Sequence, residues 1–361
     1  MFNAERLTLA RQRRGLTKSG LAEKANLTIK SISLIESTKV EPRQSTVGVL
    51  AGALEFPETF FSAPSLPLIP PEGASFRSLS RMTAAQRDGA LAAGRLCIDL
   101  DRFLTERFEL PEADLPEVDL AITDPESAAM LTRSYWGLGT APIPNMIHLV
   151  EAHGVRVFSL AEECHEVDAF SFWSEGVPIA CLNTMKTAEH SVFDVAHELG
   201  HLVLHRGHGS PRGREEEQEA NAFASSFLMP RSDVLAVAPR FPGLADLDEA
   251  KSRWRVSTAA LNYRMHKMEL LSDWHYRELC IELARRGRAR EVNPIQRESS
   301  QLLHKAFAAL RAEGVRRGDI ASALSLYPTD LDSLVFGLVM SALDGGDELR
   351  HGGTTPALSV V

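Results

Sequence analysis

Hydrophobic residues recur at intervals of three and four positions along most of the chain, which is the spacing of one face of an α-helix. The pattern predicts longer helices in five ranges: 83–108, 126–137, 144–153, 188–206 and 214–229. Residues 3–56 break into shorter helical pieces, in which Thr17 and Thr28 are placed as N-caps. From residue 248 onward the pattern is again helical. The chain is therefore predicted to be mainly α-helical.

The period changes in the middle of the chain. Residues 154–160, 168–174 and 177–183 are short runs rich in β-branched or aromatic residues, which is typical of strands. Glu175 and Gly176 separate the last two runs and indicate a hairpin turn. The expected fold is mainly α with a small antiparallel β-sheet, an α+β arrangement.

Breaks in these patterns divide the chain into five parts. The proline-rich residues 57–75 cannot hold a regular helix and are interpreted as a linker. This linker separates an all-helical N-terminal domain, residues 1–56, from a central domain at 76–265. A helical C-terminal region is expected at 266–343, and the polar, glycine-rich residues 344–361 are expected to form a disordered tail.

The net charge of -9 is distributed unevenly. Residues 1–55 carry a net charge of +4 and the remaining residues carry -13, so nucleic acid is expected to interact with the N-terminal part only. The chain begins without the apolar run of a signal peptide, and no stretch reaches about 18 apolar residues. A cytoplasmic location without membrane contact is expected. The four cysteines form no CxxC pair, which argues against a disulfide framework and a thiolate metal site.

The stretch "HELGH" places two histidines on one helix face. His197 and His201 are four residues apart, which is the spacing that grips a single zinc ion. Glu198 stands beside them as a candidate general base for a water activated by the metal. A third ligand is then required. The metzincin pattern does not supply it, because Gly207 stands where the third histidine belongs and His208 comes one residue late.

A glutamate on the following helix would complete a His2Glu site with an open fourth position. The segment "GREEEQEANAFASSFLMP" offers four glutamates, of which Glu219 lies on the predicted apolar face and is the expected ligand. Glu216 lies near the edge of that face and is the reserve, while Glu215 and Glu217 are interpreted as solvated charges. His205, one turn beyond His201, is a candidate for supporting the ligands or stabilising the transition state; the alternative is that it only ends the helix.

With these motifs, residues 127–265 resemble the ImmA/IrrE family of zinc metallopeptidases. The resemblance rests on "APIPNMIHLVEAHGVRV", "AHELGHLVLH", "EANAFASSFLMP" and "WRVSTAALNYRMH" in the family's order. It implies one Zn²⁺ per chain on His197, His201 and Glu219, with Glu198 as the catalytic base. It also implies a helix-turn-helix repressor as the substrate, because several family members cleave such a protein. A departure is His190, which lies in a segment where the family commonly has arginine.

The N-terminal domain is similar to the XRE-type helix-turn-helix domain of phage repressors, through "LTKSGLAEKANLTIKSISLIESTKVEPRQSTVGVLAGALEF". The resemblance implies that Thr28 begins the recognition helix and that Arg11 pairs with Glu36. The side chains available for DNA are short or basic ones: Lys18, Thr28, Lys30, Ser31 and Ser33. Binding to phosphates is expected more than sharp sequence readout. The alternative is a docking or dimerisation module, so a homodimer is among the expected assemblies.

These observations together favour a regulatory zinc metalloendopeptidase fused to a DNA-binding domain. Its expected target is a specific transcriptional repressor or antitoxin-like protein that controls a stress, mobile-element or defence operon. The alternative is a helix-turn-helix transcriptional regulator whose zinc site is structural or senses metal. Neither a motif nor the resemblance assigns a function to residues 266–343.

Overall fold

The computed structural model describes residues 1–70, 74–76, 82–160, 167–206, 213–287 and 291–339. The predicted disordered tail and Cys164 lie outside these residues. Four short helices form the N-terminal part: α1 Ala4–Arg13, α2 Lys18–Lys24, α3 Ile29–Glu36 and α4 Gln44–Leu54. The predicted N-caps are confirmed, since the Thr17 hydroxyl accepts a hydrogen bond from Gly20 N and the Thr28 hydroxyl accepts one from Ser31 N.

The proline-rich segment after α4 is held against the rest of the protein. A 3-10 turn at Glu58–Ser62 buries Phe60 and Phe61. Further along, the buried guanidinium of Arg95 donates hydrogen bonds to the carbonyl oxygens of Leu66 and Pro67. These contacts give the segment's backbone the partners that a regular helix would otherwise supply.

Helix α5, Ala84–Thr105, packs beside α1 and begins with a capping box at Thr83 and Gln86. It is followed by α6 at Pro125–Tyr135 and α7 at Met146–Ala152. The three helices predicted at 83–108, 126–137 and 144–153 are thus confirmed to within a few residues at each end.

The sheet is small and mixed. Its strands are β1 Ser75–Phe76, β2 Arg156–Ser159, β3 Ala169–Ser174 and β4 Val177–Leu182, in the order β1-β3-β4-β2. The hairpin between β3 and β4 is confirmed, because Glu175 and Gly176 both have positive φ angles, of 51° and 84°. The expectation of an antiparallel sheet is wrong for β2, which pairs parallel with β4. All four residues of β2 are buried, so the strand lacks the alternation of a half-exposed antiparallel strand.

Two helices cover this sheet and meet closely. Helix α8, Ala188–Leu204, packs on β3 and β4, and α9, Arg214–Leu228, crosses α8. Gly200 allows the close approach, because a Cβ atom there would lie 3.3 Å from both Cα and O of Ala220. The two helices predicted at 188–206 and 214–229 are confirmed.

The remaining helices continue from α9 to the C-terminal region. They are α10 Arg231–Val237, α11 Leu244–Ala250, α12 Thr258–Lys267, α13 Asp273–Arg286, α14 Gln301–Ala312, α15 Arg317–Ala323 and α16 Pro328–Val335. A 3-10 turn at Lys251–Trp254 joins α11 to the segment before α12. Within the described ranges, no helix combines the length and hydrophobicity that crossing a membrane requires.

Buried charged groups connect the C-terminal helices to the rest of the protein. Glu298 accepts hydrogen bonds from Met146 N and Ile147 N at the start of α7, at 2.7 and 3.0 Å. At the N-terminal end, Arg14 and Asp330 form an ion pair with an Nη1 to Oδ1 distance of 2.7 Å. Residues 298–335 therefore contact both the N-terminal helices and the central part.

Candidate metal centre

Helix α8 brings two imidazole rings together on its buried face. His197 and His201 are separated by one helical turn, and their Nε2 atoms lie 3.1 Å apart. Glu217, near the start of α9, places Oε2 3.4 Å from His197 Nε2 and Oε1 3.2 Å from His201 Nε2. Among the described residues, these three side chains form a group that is able to hold a metal ion.

The separations of these donor atoms fit a small divalent cation. A tetrahedral zinc ion with bonds of about 2.0 to 2.1 Å holds its ligand atoms roughly 3.3 to 3.4 Å apart. The three observed separations run from 3.1 to 3.4 Å, and the two histidine–glutamate distances end on different oxygens of the Glu217 carboxylate. Two imidazole nitrogens and one carboxylate are also the donor types that zinc takes in catalytic sites. The residues present therefore fit the metal that the sequence predicts.

Burial sets the charge states of the donors. The His201 side chain is fully buried, and burial lowers the pKa of its imidazole well below the ordinary value of 6.5, so the ring is neutral at pH 7. Burial alone would raise the pKa of the Glu217 carboxyl, but its hydrogen bonds with His197 and His201 outweigh burial and lower that pKa to about 2. A neutral imidazole and an ionised carboxylate are the forms that coordinate metals.

Glu198, the predicted general base, follows His197 directly on α8. Its side chain is fully buried. Its backbone carbonyl accepts a hydrogen bond from the Ser171 hydroxyl of β3 at 3.3 Å, which ties this turn of the helix to the sheet. The sheet thus fixes the turn of α8 that carries His197 and Glu198.

The predicted third ligand does not lie among the donor atoms. Glu219 instead places Oε2 3.0 Å from Nε2 of His205, which is one turn beyond His201 on α8. Glu217, which the sequence analysis interpreted as a solvated charge, lies between the two imidazoles. The geometry therefore favours Glu217 over Glu219 as the third candidate ligand. Glu217 stands two residues before Glu219 and hence about 200° around the helix, so the two carboxylates point in different directions.

His205 lies at the end of α8 and is 2% exposed. Its Nδ1 atom is 2.9 Å from His201 Nδ1, and its Nε2 atom contacts Glu219. Both ring nitrogens of His205 therefore contact protein atoms, and Nδ1 contacts His201, which is a candidate metal ligand. This position fits support of the metal site better than contact with a transition state.

Of the side chains predicted to contact DNA, Lys18 lies on α2 and Thr28 is the N-cap of α3. The other three, Lys30, Ser31 and Ser33, lie on α3. Lys30 is exposed, whereas the Lys18 ammonium lies 3.3 Å from Glu36 Oε2. The Thr28 and Ser31 hydroxyl groups are 2.8 Å apart, and Ser33 is half-buried. The predicted pair of Arg11 and Glu36 is confirmed, with Nε 2.6 Å from Oε1.

Comparison with known protein families adds an independent observation. Residues 150–266 match the family described as Peptidase_M78, IrrE N-terminal-like domain. The matched range contains the "HELGH" stretch and Glu217, and it supports the ImmA/IrrE resemblance and a metallopeptidase-type regulatory function. The family and the three clustered side chains together fit a metal cofactor. A comparison with curated proteins gives no match.

Proposed function

We propose that this protein is a regulatory zinc metalloendopeptidase that cleaves a specific transcriptional repressor or antitoxin-like protein. The observation that carries the proposal is the cluster of His197, His201 and Glu217, in which the two imidazole Nε2 atoms lie 3.1 Å apart and each lies 3.2–3.4 Å from one oxygen of the Glu217 carboxylate. A site with three protein ligands leaves a fourth position open, which is typical of catalytic zinc, whereas structural zinc normally has four protein ligands.

Zinc bound there would act as a Lewis acid and would lower the pKa of a coordinated water to about 7. His197, His201 and Glu217 hold the metal. Glu198 takes a proton from the attacking water and passes it to the leaving amine of the scissile peptide. With a metal on His201 Nε2, His205 would accept a hydrogen bond from His201 Nδ1 and so orient that ligand; Glu219 in turn would orient His205.

The proposed substrate class is a helix-turn-helix protein, whose removal would switch on a stress, mobile-element or defence operon. This part of the proposal rests on the family resemblance and on the order of the parts along the chain. In the N-terminal helices, the four-residue connection between α2 and α3 and the exposed Lys30 support binding to DNA phosphates. Docking to a related helix-turn-helix protein is the alternative use of the same surface.

The proposal is tested by a substrate trap. Wild-type protein and Glu198→Gln are purified from the native host, and the proteins that accompany each are identified by mass spectrometry. An intact helix-turn-helix protein held by the variant, and found truncated beside the wild type, is the expected result and also gives the cut site.

The opposite result is equally informative. If both forms bring down the same DNA with no protein partner, and no protein is truncated beside the wild type, the peptidase proposal fails. The N-terminal helices would then carry the function, and salt-dependent binding to one DNA sequence, unchanged by Glu198→Gln, would identify a transcriptional regulator.

A further inference from the structure

Helix α13 turns an almost uncovered face to the solvent. The structure describes every residue of this helix, and of its 14 residues only Leu279 is buried. Its inner side is held in place by two contacts. Tyr276 stacks on His266 with ring centroids 4.2 Å apart, and Arg286 Nη1 lies 2.5 Å from Asp248 Oδ2. These contacts fix which side of the helix points outward.

Large hydrophobic side chains share the outward face. Trp274 is 68% exposed and Ile281 is 52% exposed. Seven residues make nearly two full turns of an α-helix, so these two side chains lie almost in line along it. Phe241 is 90% exposed, and the carbonyl oxygen of the next residue, Pro242, lies 2.8 Å from His275 Nε2, which places Phe241 near the first turn of α13. A single exposed apolar residue is ordinary, whereas a group of them indicates a surface that binds another molecule.

Two side chains of opposite charge lie beside this apolar line. Glu278 is one turn after Trp274, and Arg285 is one turn after Ile281; both charged side chains are exposed. Because they are seven residues apart, they lie on the same side of the line, about 10.5 Å from each other along the helix, which is too far for an ion pair between them. Neither forms an ion pair with another residue in the described part of the chain.

This arrangement is complementary to itself. When two copies of a helix pack antiparallel about a two-fold axis, the same sides of both helices meet, and if residue i faces residue j of the other copy, then j also faces i. With the axis beside Ile281, between Glu278 and Arg285, each Glu278 faces Arg285 of the other copy, and the two Ile281 side chains pack together. The same Arg285 guanidinium lies within reach of Trp274, one turn before Glu278, for a cation–π contact.

The charge of the face also fits a second copy of the chain. Between Trp274 and Arg285 the exposed charged residues are two acidic and two basic ones, Arg277, Glu278, Glu282 and Arg285. The face is therefore neutral, although the chain carries a net charge of -9. A neutral face does not attract nucleic acid or another strongly charged partner, and it lets two copies meet without the repulsion of their net charges.

We propose that this protein forms a homodimer in which α13 packs antiparallel against α13 of a second copy. Ile281 and Trp274 supply the apolar contact, and Glu278 pairs with Arg285 of the other copy on both sides of the two-fold axis. The proposal rests on the outward face of α13 alone and does not depend on the proposed peptidase function.

The oligomeric state of the full chain is measured first, by sedimentation velocity over a hundredfold range of protein concentration. A monomer–dimer equilibrium is expected. Ile281→Asp places a carboxylate of each copy beside the two-fold axis and removes apolar contact, so it should raise the dissociation constant of the dimer at least tenfold. Ile122→Asp makes the same change at an isoleucine outside α13 that is 85% exposed, and it should dimerise as the wild type does.

Charge reversal then tests the antiparallel pairing. Glu278→Arg places two arginines opposite each other at both contacts, and Arg285→Glu places two glutamates there, so each variant alone should dimerise at least tenfold more weakly. A mixture of the two variants restores opposite charges at both contacts and should form heterodimers as readily as the wild type forms homodimers. Glu106→Arg, at an exposed carboxylate outside α13, changes the net charge as Glu278→Arg does and should leave the dimer unchanged.

Three results would contradict the proposal. A monomer at every concentration would overturn it and leave this face to a different partner. A dimer that withstands Ile281→Asp and both charge reversals would overturn it as well, because the contact would then lie elsewhere, for example in the N-terminal domain. Weak dimerisation of both charge variants that mixing does not restore would exclude the antiparallel arrangement.

Discussion

His201 and His205 face each other through their Nδ1 atoms, 2.9 Å apart. One of these nitrogens must donate and the other must accept. If His201 binds the metal through Nε2, its proton lies on Nδ1 and is donated to His205. His205 then carries its own proton on Nε2, where Glu219 Oε2 accepts it at 3.0 Å. Two hydrogen bonds therefore select the tautomer of His201 that leaves Nε2 free for the metal.

The first prediction tests this chain of hydrogen bonds through metal affinity. Loss of an outer partner of a metal ligand typically weakens metal binding roughly 10- to 100-fold, so His205→Ala should weaken zinc binding by that amount. His205→Asn should restore part of the loss, because an amide oxygen accepts the proton of His201 Nδ1. Zinc affinity is measured by competition with a chromogenic chelator. Equal affinities of wild type and His205→Ala would mean that His205 only ends the helix.

The second prediction distinguishes the two glutamates of α9. Glu217→Gln replaces a carboxylate of the candidate metal group with a neutral amide. The zinc affinity of this variant should therefore fall by more than the roughly 10- to 100-fold expected when a residue that only supports a ligand is changed. Glu219→Gln keeps an oxygen that accepts from His205 and should stay within that range. The two variants differ from the wild type by the same chemical change, two positions apart. A larger loss for Glu219→Gln would restore the ligand that the sequence predicts.

The apolar pattern of α9 favours Glu219, whereas Glu217 is the glutamate that clusters with the histidines, because the surroundings of α9 change along its length. From Phe223 to Leu228 every residue of the helix is buried, so its apolar pattern no longer marks the face that meets α8. Ala222, part of the predicted inward face, is exposed. The face that approaches α8 is marked by a small residue, Ala220, which lies against Gly200. Ala220 is one turn after Glu217, so the small residue at the contact with α8 marks the side of α9 on which Glu217 lies.

Other parts of the structure follow directly from local rules. The helix containing His197 and His201 and the hairpin at Glu175 and Gly176 both agree with the prediction, because periodicity and turn residues are local properties. The parallel pairing of β2 and the meeting of Glu217 with the two histidines could not be predicted in this way. Each depends on which distant segments meet, and a single sequence records such contacts only weakly.

The third prediction concerns Glu198. Glu198→Gln keeps the shape of the side chain but cannot take a proton from water, so cleavage should fall by roughly 100- to 10,000-fold. Its zinc content, measured by mass spectrometry, should equal that of the wild type because Glu198 is not one of the three clustered donors. Loss of zinc from this variant would instead place Glu198 among the ligands. Full activity in a zinc-loaded variant would exclude it as the base.

The fourth prediction concerns pH and the buried carboxyl of Glu151. Burial raises the pKa of this group from 4.5 to about 7, against the opposing effect of hydrogen bonds from Ser300, Leu302 N and Gln301 N at the start of α14. Between about pH 4.5 and 7 the folded state therefore holds a proton that the unfolded state has released. It follows that the free energy of unfolding should decrease as pH rises through this window. Each pKa unit corresponds to about 1.4 kcal/mol, so the decrease is at most about 3.5 kcal/mol.

Denaturant unfolding of wild type and Glu151→Gln at pH 5 and pH 8 measures this effect. Taking the difference between the two proteins cancels the other titrating groups, so the wild type should lose stability relative to the variant between these pH values. Glu106→Gln, at a carboxylate that is 74% exposed, should follow the wild type at both pH values. Parallel pH profiles of wild type and Glu151→Gln would show that Glu151 is ionised throughout. In that case its carboxylate would act as a charged cap of α14 rather than as a buried acid, and Glu151→Gln would be the less stable protein at both pH values.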